Sequence, residues 1–279
     1  MSLGAREVAF NHATFGWSVP FGELISVVSS SGAGGVGIWS DKLDGLPAMQ
    51  ARARIEEAGL RVTAVNRGGF FVAGTSQGRQ RAIDETLRQI DVTHDLGSDV
   101  LLIVPGGLAD DVRSIDRARE HVLQGLEAVL PHAAACGIRL GIEPFHPGLT
   151  TSRGVTNTLD SALDLCDRLG PSLGVILDVH HLWWDPNLHA AISRAGDRIL
   201  GLHLCDWALE ATDPSSDRVV MGEGVADIPA IIRSVRNAGY KGFLEVEIFS
   251  RHDLWRRPPR DVAKLCLERA MSCIVEAEA

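Results

Sequence analysis

Eight short runs rich in aliphatic and β-branched residues alternate with amphipathic stretches along this chain, and six of those stretches stop at a glycine shortly before the next run. The runs fall near Glu7–Phe10, Gly35–Trp39, Arg61–Asn66, Asp99–Val104, Arg139–Glu143, Gly174–Asp178, Ile199–Leu204 and Phe243–Ile248. Between them apolar residues recur at helical spacing, as at Ala82, Ile83, Leu87, Ile90 and His94 after Gly78. Gly59, Gly97, Gly137, Gly170, Gly196 and Gly239 stand where a left-handed helix C-cap belongs. Eight strand–helix units predict an α/β chain closed into a single (β/α)8, or TIM, barrel over residues 1–279. An open doubly wound sheet would place a phosphate-binding glycine turn after its first strand, where this chain reads Phe10-Asn-His-Ala-Thr-Phe-Gly16. The glycines of Ser31–Gly37 precede a strand, which marks a flexible turn rather than a dinucleotide fingerprint.

The bulk numbers narrow the class of partner. A net charge of −9 over 279 residues gives no electrostatic footprint for nucleic acid or an anionic membrane. No apolar run is long enough to cross a bilayer, and Met1–Phe10 lacks the apolar core of a secretory signal. Five cysteines (Cys136, Cys166, Cys205, Cys266 and Cys273) show no close pairing motif and read as small core residues in a reducing compartment. A cytoplasmic protein with no nucleic-acid or membrane partner is expected.

Chemistry concentrates at the exits of the last four runs: Glu143, Asp178, His203 and Glu247. Active sites of such barrels gather at the carboxyl ends of the strands, and ionised groups stay buried only when paired or metal-bound. Two Glu, one Asp and one His predict a site for one divalent cation, Mn²⁺, Mg²⁺, Co²⁺ or Zn²⁺. Period-two alternation puts Glu245 and Glu247 on one strand face.

The segments Leu140-Gly-Ile-Glu-Pro144, Leu177-Asp-Val-His-His-Leu-Trp-Trp184, Leu202-His-Leu-Cys-Asp-Trp207, Met221-Gly-Glu-Gly224 and Tyr240–Phe249 resemble, in order and spacing, the xylose isomerase-like barrel superfamily. The resemblance lies with its sugar isomerase and epimerase branch, and the first half of the chain matches by topology more than by motif. It implies that Glu143, Asp178, His203 and Glu247 hold the metal. Through an Asp-x-x-His pattern it also makes His181 the histidine beside metal or substrate, where strand alternation alone favours His180. The superfamily's endonuclease IV branch needs further histidines after the third and fourth strands and an Asp-x-His after the seventh. This chain has Val65-Asn-Arg-Gly-Gly69, Val104-Pro-Gly-Gly107 and Asp217-Arg-Val219 there, so DNA repair is not expected.

A metal flanked by two glutamates suits proton abstraction next to a carbonyl, with the developing enediolate stabilised by the ion and Glu143 and Glu247 acting as acid and base. The expected function is a metal-dependent isomerase or epimerase of a small sugar or keto-polyol. A dehydratase (lyase) on an inosose or dehydroshikimate-like substrate shares the first step. Rivals of another class are a non-catalytic polyol-binding protein and a subunit that acts only with a partner, using the apolar helix from Val262 to Val275; a homo-oligomer stays open. Arg218 and Glu223, in the long loop Asp206–Asp227, together with His181, Trp17, Trp39 and His12, are the expected substrate contacts. The indoles serve as apolar faces for a sugar ring.

Overall fold

The computed structural model describes residues 3–109, 111–210, 213 and 218–279. Its barrel strands are β1 (Val8–Asn11), β2 (Gly35–Trp39), β3 (Arg61–Gly69), β4 (Val100–Val104), β5 (Arg139–Ile142), β6 (Leu173–Asp178), β7 (Ile199–Leu204) and β10 (Leu244–Val246). Each pairs in parallel with its neighbours, and β10 closes onto β1 to complete the barrel. Two further strands, β8 (Asp206–Trp207) and β9 (Arg218–Val219), form a small antiparallel pair in the loop after β7. The sequence pattern does not reveal this pair, because two residues are too few to show a period.

The helices α1 (Phe21–Ser31), α2 (Ala48–Glu57), α3 (Ser76–Asp95), α4 (Ile115–Ala135), α5 (Leu159–Leu169), α7 (Leu188–Ala195), α8 (Ile228–Asn237) and α9 (Pro259–Glu278) lie between and after the barrel strands. Thr75, Ser114, Thr158 and Asp227 start four of them by accepting backbone N–H groups of the first turn, each cap contributing about 1 kcal/mol. At the other ends, all six glycines read as C-caps have positive φ. The buried face of α3 is Thr86, Gln89, Ile90 and Thr93. Ala82, Ile83 and Leu87 are only partly buried against the core, and His94 is exposed. The apolar face of α9 packs through Val262, Cys266, Ala270 and Ile274 into the molecule's own core.

The turn Ser31–Gly37 is tightly packed rather than flexible: a Cβ on Gly34 would lie 2.1 Å from the Arg6 carbonyl oxygen. Gly37 has a different consequence. A Cβ there would fall 1.9 Å from Glu245 Oε1, so the missing side chain admits a carboxylate to the barrel interior. Across the barrel, Leu102, Val104, Phe145, Leu149 and Ile176 form an apolar cluster. The interior is therefore polar on one side and apolar on the other, directly beneath the carboxyl ends of the strands.

Candidate metal centre

Glu143 and Glu247 stand one residue beyond the strands that carry them, yet the ladders continue through both. Glu143 N–H donates to the Ile103 carbonyl at 3.1 Å and Glu247 N–H to the Leu204 carbonyl at 3.0 Å. Asp178 and His203 face each other in the β6–β7 register. All four are buried, and one ligand atom from each lies within 4.8 Å of all the others. Donors about 2.0–2.2 Å from a common ion stand up to roughly 4.4 Å apart across it, so small side-chain movements suffice to coordinate.

Two buried atoms of this cluster, Glu143 Oε1 and His203 Nδ1, have no hydrogen-bond partner among the described residues. They lie 3.5 Å apart, and Nδ1 is also 3.5 Å from Glu247 Oε2. Orphaned polar atoms inside a barrel mark a place where another group completes the contacts. Three carboxylates and one imidazole are the donor chemistry of a hard or borderline divalent ion, so these residues fit such a metal.

The charges differentiate the two glutamates. Burial pushes the Glu143 carboxyl up to about 7, helped by the nearby charges of Asp178 and Glu247 and opposed by His203. Burial also raises Glu247, but His203 and Arg218 outweigh it and hold this carboxyl at about 2. Burial alone would lower His203; the Glu247, Glu143 and Glu245 carboxylates carry it well above the usual histidine range instead. Arg218 Nη1 donates to Asp178 Oδ2 at 2.7 Å and to Glu247 Oε2 at 3.1 Å, a fixed positive charge between two ligand carboxylates.

A second layer lies below. Glu245 Oε1 is 3.8 Å from His203 Nε2 and accepts a 2.7 Å bond from Asn11 Nδ2, and Thr63 Oγ1 donates to the other oxygen. A carboxylate on the far nitrogen of a ligating imidazole fixes the ring's orientation and tautomer. Asn11 is itself held by the Trp39 indole N–H, at 2.8 Å.

Above the cluster opens a cavity of about 330 Å³, lined by Glu143, Glu247, His181 and Arg218 together with an aromatic wall of Trp17, Trp39, Phe249 and Trp255. His181 reaches it because the short helix α6 (Val179–Leu182) begins directly after Asp178. Strand alternation stops there, and helical i,i+3 spacing sets His181 Nε2 3.7 Å from Asp178 Oδ2. His180 stacks on Trp207 instead, with centroids 4.6 Å apart. Neither ring nitrogen of His181 has a hydrogen-bond partner among the described residues, and burial followed by the Arg218 charge holds its pKa well below the usual value, so the ring is neutral.

Two expected substrate contacts lie elsewhere. His12 is buried behind the wall, its Nε2 3.4 Å from the Val19 carbonyl and its ring 6.0 Å from that of Trp17, and it does not line the cavity. Glu223 is exposed and pairs with Arg269 at 3.4 Å. Its turn is organised by Asp206, which accepts the N–H groups of Gly222, Gly224 and Ala226, each at 3.0 Å. Asp217 lies outside the described residues. Arg67 and Arg153, which the sequence pattern did not single out, also line the cavity.

Fold and site together define a barrel with a buried, carboxylate-rich cluster suited to a divalent metal at the carboxyl ends of its strands. The xylose isomerase-like TIM barrel family matches residues 25–268; the chain belongs to that family. A crystallised protein of Sinorhizobium meliloti 1021 is 41% identical, with a TM-score of 0.93 over 96% of this chain and 98% of its own. A 3-dehydroshikimate dehydratase of Pseudomonas putida is 27% identical over 249 residues, 85% of this chain. This chain spans 37% of that relative's length. The IOLI protein with a binding zinc atom shares the fold at a TM-score of 0.83 and 18% identity, over 97% of this chain and 98% of its own.

Proposed function

We propose that this protein is a divalent-metal-dependent lyase that removes water from a cyclic β-hydroxy ketone of the 3-dehydroshikimate type. The observation that carries the reading is His181: a neutral, buried imidazole whose two nitrogens have no hydrogen-bond partner among the described residues, beside the candidate metal cluster and facing the cavity. The likeness to 3-dehydroshikimate dehydratases supports the choice of outcome.

A bound divalent ion supplies Lewis acidity toward a ketone oxygen and neutralises the carboxylates around it. The His181 lone pair takes the proton α to the carbonyl, and the C–H electrons move toward the ketone. The same imidazolium hands that proton to the departing β-hydroxyl, which leaves as water while the carbon–carbon double bond forms. No oxidant or reductant is consumed. With its pKa held well below the usual value, the imidazole starts with a free lone pair and gives up readily the proton it has taken. Glu247, held ionised by His203 and Arg218, is suited to permanent ligation rather than proton donation. Glu143, poised at about 7, is the carboxyl that can trade its proton for the metal. The aromatic wall shields the reacting carbon from water and offers flat surfaces to a six-membered ring.

Epimerisation remains the second reading, because Glu143 and Glu247 approach the cluster from different strands and a ketose between them would have a carboxylate on either face. Incubating the Mn²⁺-loaded protein in D2O with 3-dehydroshikimate, and separately with ribulose or fructose, separates the two. Loss of water from the first substrate, abolished in His181→Asn with metal content retained, is the expected result. Deuterium exchange and inversion in a ketose without any dehydration would replace the lyase reading with the epimerase one.

A further inference from the structure

The mouth of the cavity holds more positive charge than its carboxylates balance. Lys42, Arg67, Arg153, Arg218 and Arg251 line it against Asp41, Glu143 and Glu247, in a chain whose net charge is −9. Three of the five cations are accounted for. Lys42 pairs with Asp41 at 3.3 Å, Arg218 lies between Asp178 and Glu247, and Arg251 is exposed at the rim. Arg67 and Arg153 differ: both are half-buried, and among the described residues neither guanidinium makes a hydrogen bond or an ion pair.

Arg67, near the end of β3, is placed by its neighbours. Its guanidinium carbon lies 5.0 Å from the Trp39 ring centroid and 4.8 Å from that of Phe70. Stacking of this kind sets the guanidinium plane and leaves the in-plane N–H edge available. Arg153 comes from the loop between β5 and α5. Burial, and next the Arg153 charge, lower the pKa of Arg67 from its ordinary value, against the pull of Asp41, Glu143 and Glu247. Two like charges sharing a half-buried cavity repel, and a divalent ion in the cluster below would add to that repulsion. An anion between them relieves it. A planar carboxylate matches the fork of a stacked guanidinium with two parallel N–H···O bonds.

We propose that Arg67 and Arg153 form a carboxylate subsite, so that the protein takes a keto acid whose ring lies along the aromatic wall, and not a neutral sugar. This rests on the reading of the cavity as the substrate site of a metal-dependent enzyme.

Calorimetric titration of the Mn²⁺-loaded protein with 3,4-dihydroxybenzoate and with catechol isolates the carboxylate, since the ring and vicinal hydroxyls are common to both. The carboxylate should tighten binding about tenfold or more, the scale of a charge-assisted pair. Arg67→Gln and Arg153→Gln should each bring that ratio toward unity while catechol affinity holds, which also shows the variants to be folded and metal-loaded. Equal binding of both ligands to the unaltered protein overturns the subsite and leaves the metal reading standing. Binding of dihydroxybenzoate alone, lost in either variant, supports the subsite and removes the metal as anchor of the hydroxyls. If neither ligand binds, both ideas fall. Inorganic phosphate completes the set: competition by phosphate at lower concentration than dihydroxybenzoate would reassign the arginines to a phosphorylated ligand and refute the carboxylate.

Discussion

Chelating a divalent metal from the cluster and returning it should change the melting temperature by an amount the site allows to be worked out. Glu143 Oε1 and His203 Nδ1 are buried without hydrogen-bond partners among the described residues, so the folded state offers ligand atoms that an unfolded chain cannot hold together. Binding to the folded state alone stabilises it by RT ln(1 + [L]/Kd), about 4.1 kcal/mol at a free metal concentration of about 1,000 Kd. At about 2 °C per kcal/mol, the lower end for large domains, the melting temperature should rise by roughly 8 °C. Asp178→Asn keeps the size of the side chain and its ability to accept the His180 N–H at 2.8 Å, but removes an anionic ligand. A loss of about 100-fold in affinity leaves about 1.4 kcal/mol at the same metal concentration, or roughly 3 °C. Differential scanning calorimetry of chelator-treated protein, before and after Mn²⁺ or Mg²⁺, measures both. The choice of hard ions matters, because Asp91, His132 and Cys136 form a second, more exposed candidate set with a thiol and an imidazole, and softer ions such as Zn²⁺ favour it. A melting temperature unmoved by either ion, or shifted equally in Asp178→Asn, would refute the assignment of these four residues.

Two further outcomes follow from the same geometry. Glu143 titrates at about 7 against an ordinary 4.5 in the metal-free chain, so its contribution to stability is fullest below 4.5 and is lost as the pH climbs through 7. Metal must displace that proton and the one that the surrounding carboxylates hold on His203, and calorimetric titrations in buffers of different ionisation enthalpy should show proton release with affinity climbing about tenfold or more per pH unit below 7; a flat profile from pH 5 to 7 would contradict it. Gly37→Ala inserts a methyl group 1.9 Å from Glu245 Oε1, and urea unfolding should show a loss of about 1–3 kcal/mol with weaker metal binding, whereas an unchanged midpoint would mean that Glu245 is not held where Asn11 and Thr63 place it.

The strand-end residues were legible in the sequence because a barrel strand buries both faces, and a charged residue at its exit has no packing reason to be there. Glu143, Asp178, His203 and Glu247 therefore stand out from their apolar runs. His181 was legible only through the resemblance, since alternation favours His180; the helix that overrides alternation is four residues long. Arg67 and Arg153 carried no pattern of their own. Their placement depends on contacts that are far apart in the chain: the stacking partner Trp39 ends the neighbouring strand β2, 28 residues from Arg67, and Arg153 lines the same cavity from the loop two strands further on. His12 failed for the converse reason. It follows the first strand in the expected way, but the 3-10 turn His12–Phe15 swings its ring behind Trp17, and no spacing rule reports that rotation. Glu223 lies in a turn whose glycines serve Asp206, so its own side chain is free to face solvent and Arg269.

The metal cluster and the rim of the cavity answer different questions. With a divalent ion bound, three carboxylates, an imidazole and Arg218 would fix where a carbonyl is polarised and a neighbouring proton removed, and those groups would serve isomerisation, epimerisation or dehydration equally. What decides among the outcomes is which bond lies next to a group able to exchange a proton, and that is a property of the rim. In the proposed reading His181 is neutral beside a centre whose Glu247 is held by Arg218, so the proton taken from carbon has a place to go other than back to carbon. If Arg67 and Arg153 hold a carboxylate as proposed, they set the far end of the ligand against one wall of a cavity of about 330 Å³, which fixes the hydroxyl presented to that imidazole. Moving the anionic group of the ligand, or removing either arginine, should therefore alter which bond breaks more than it alters how readily the first proton is lost.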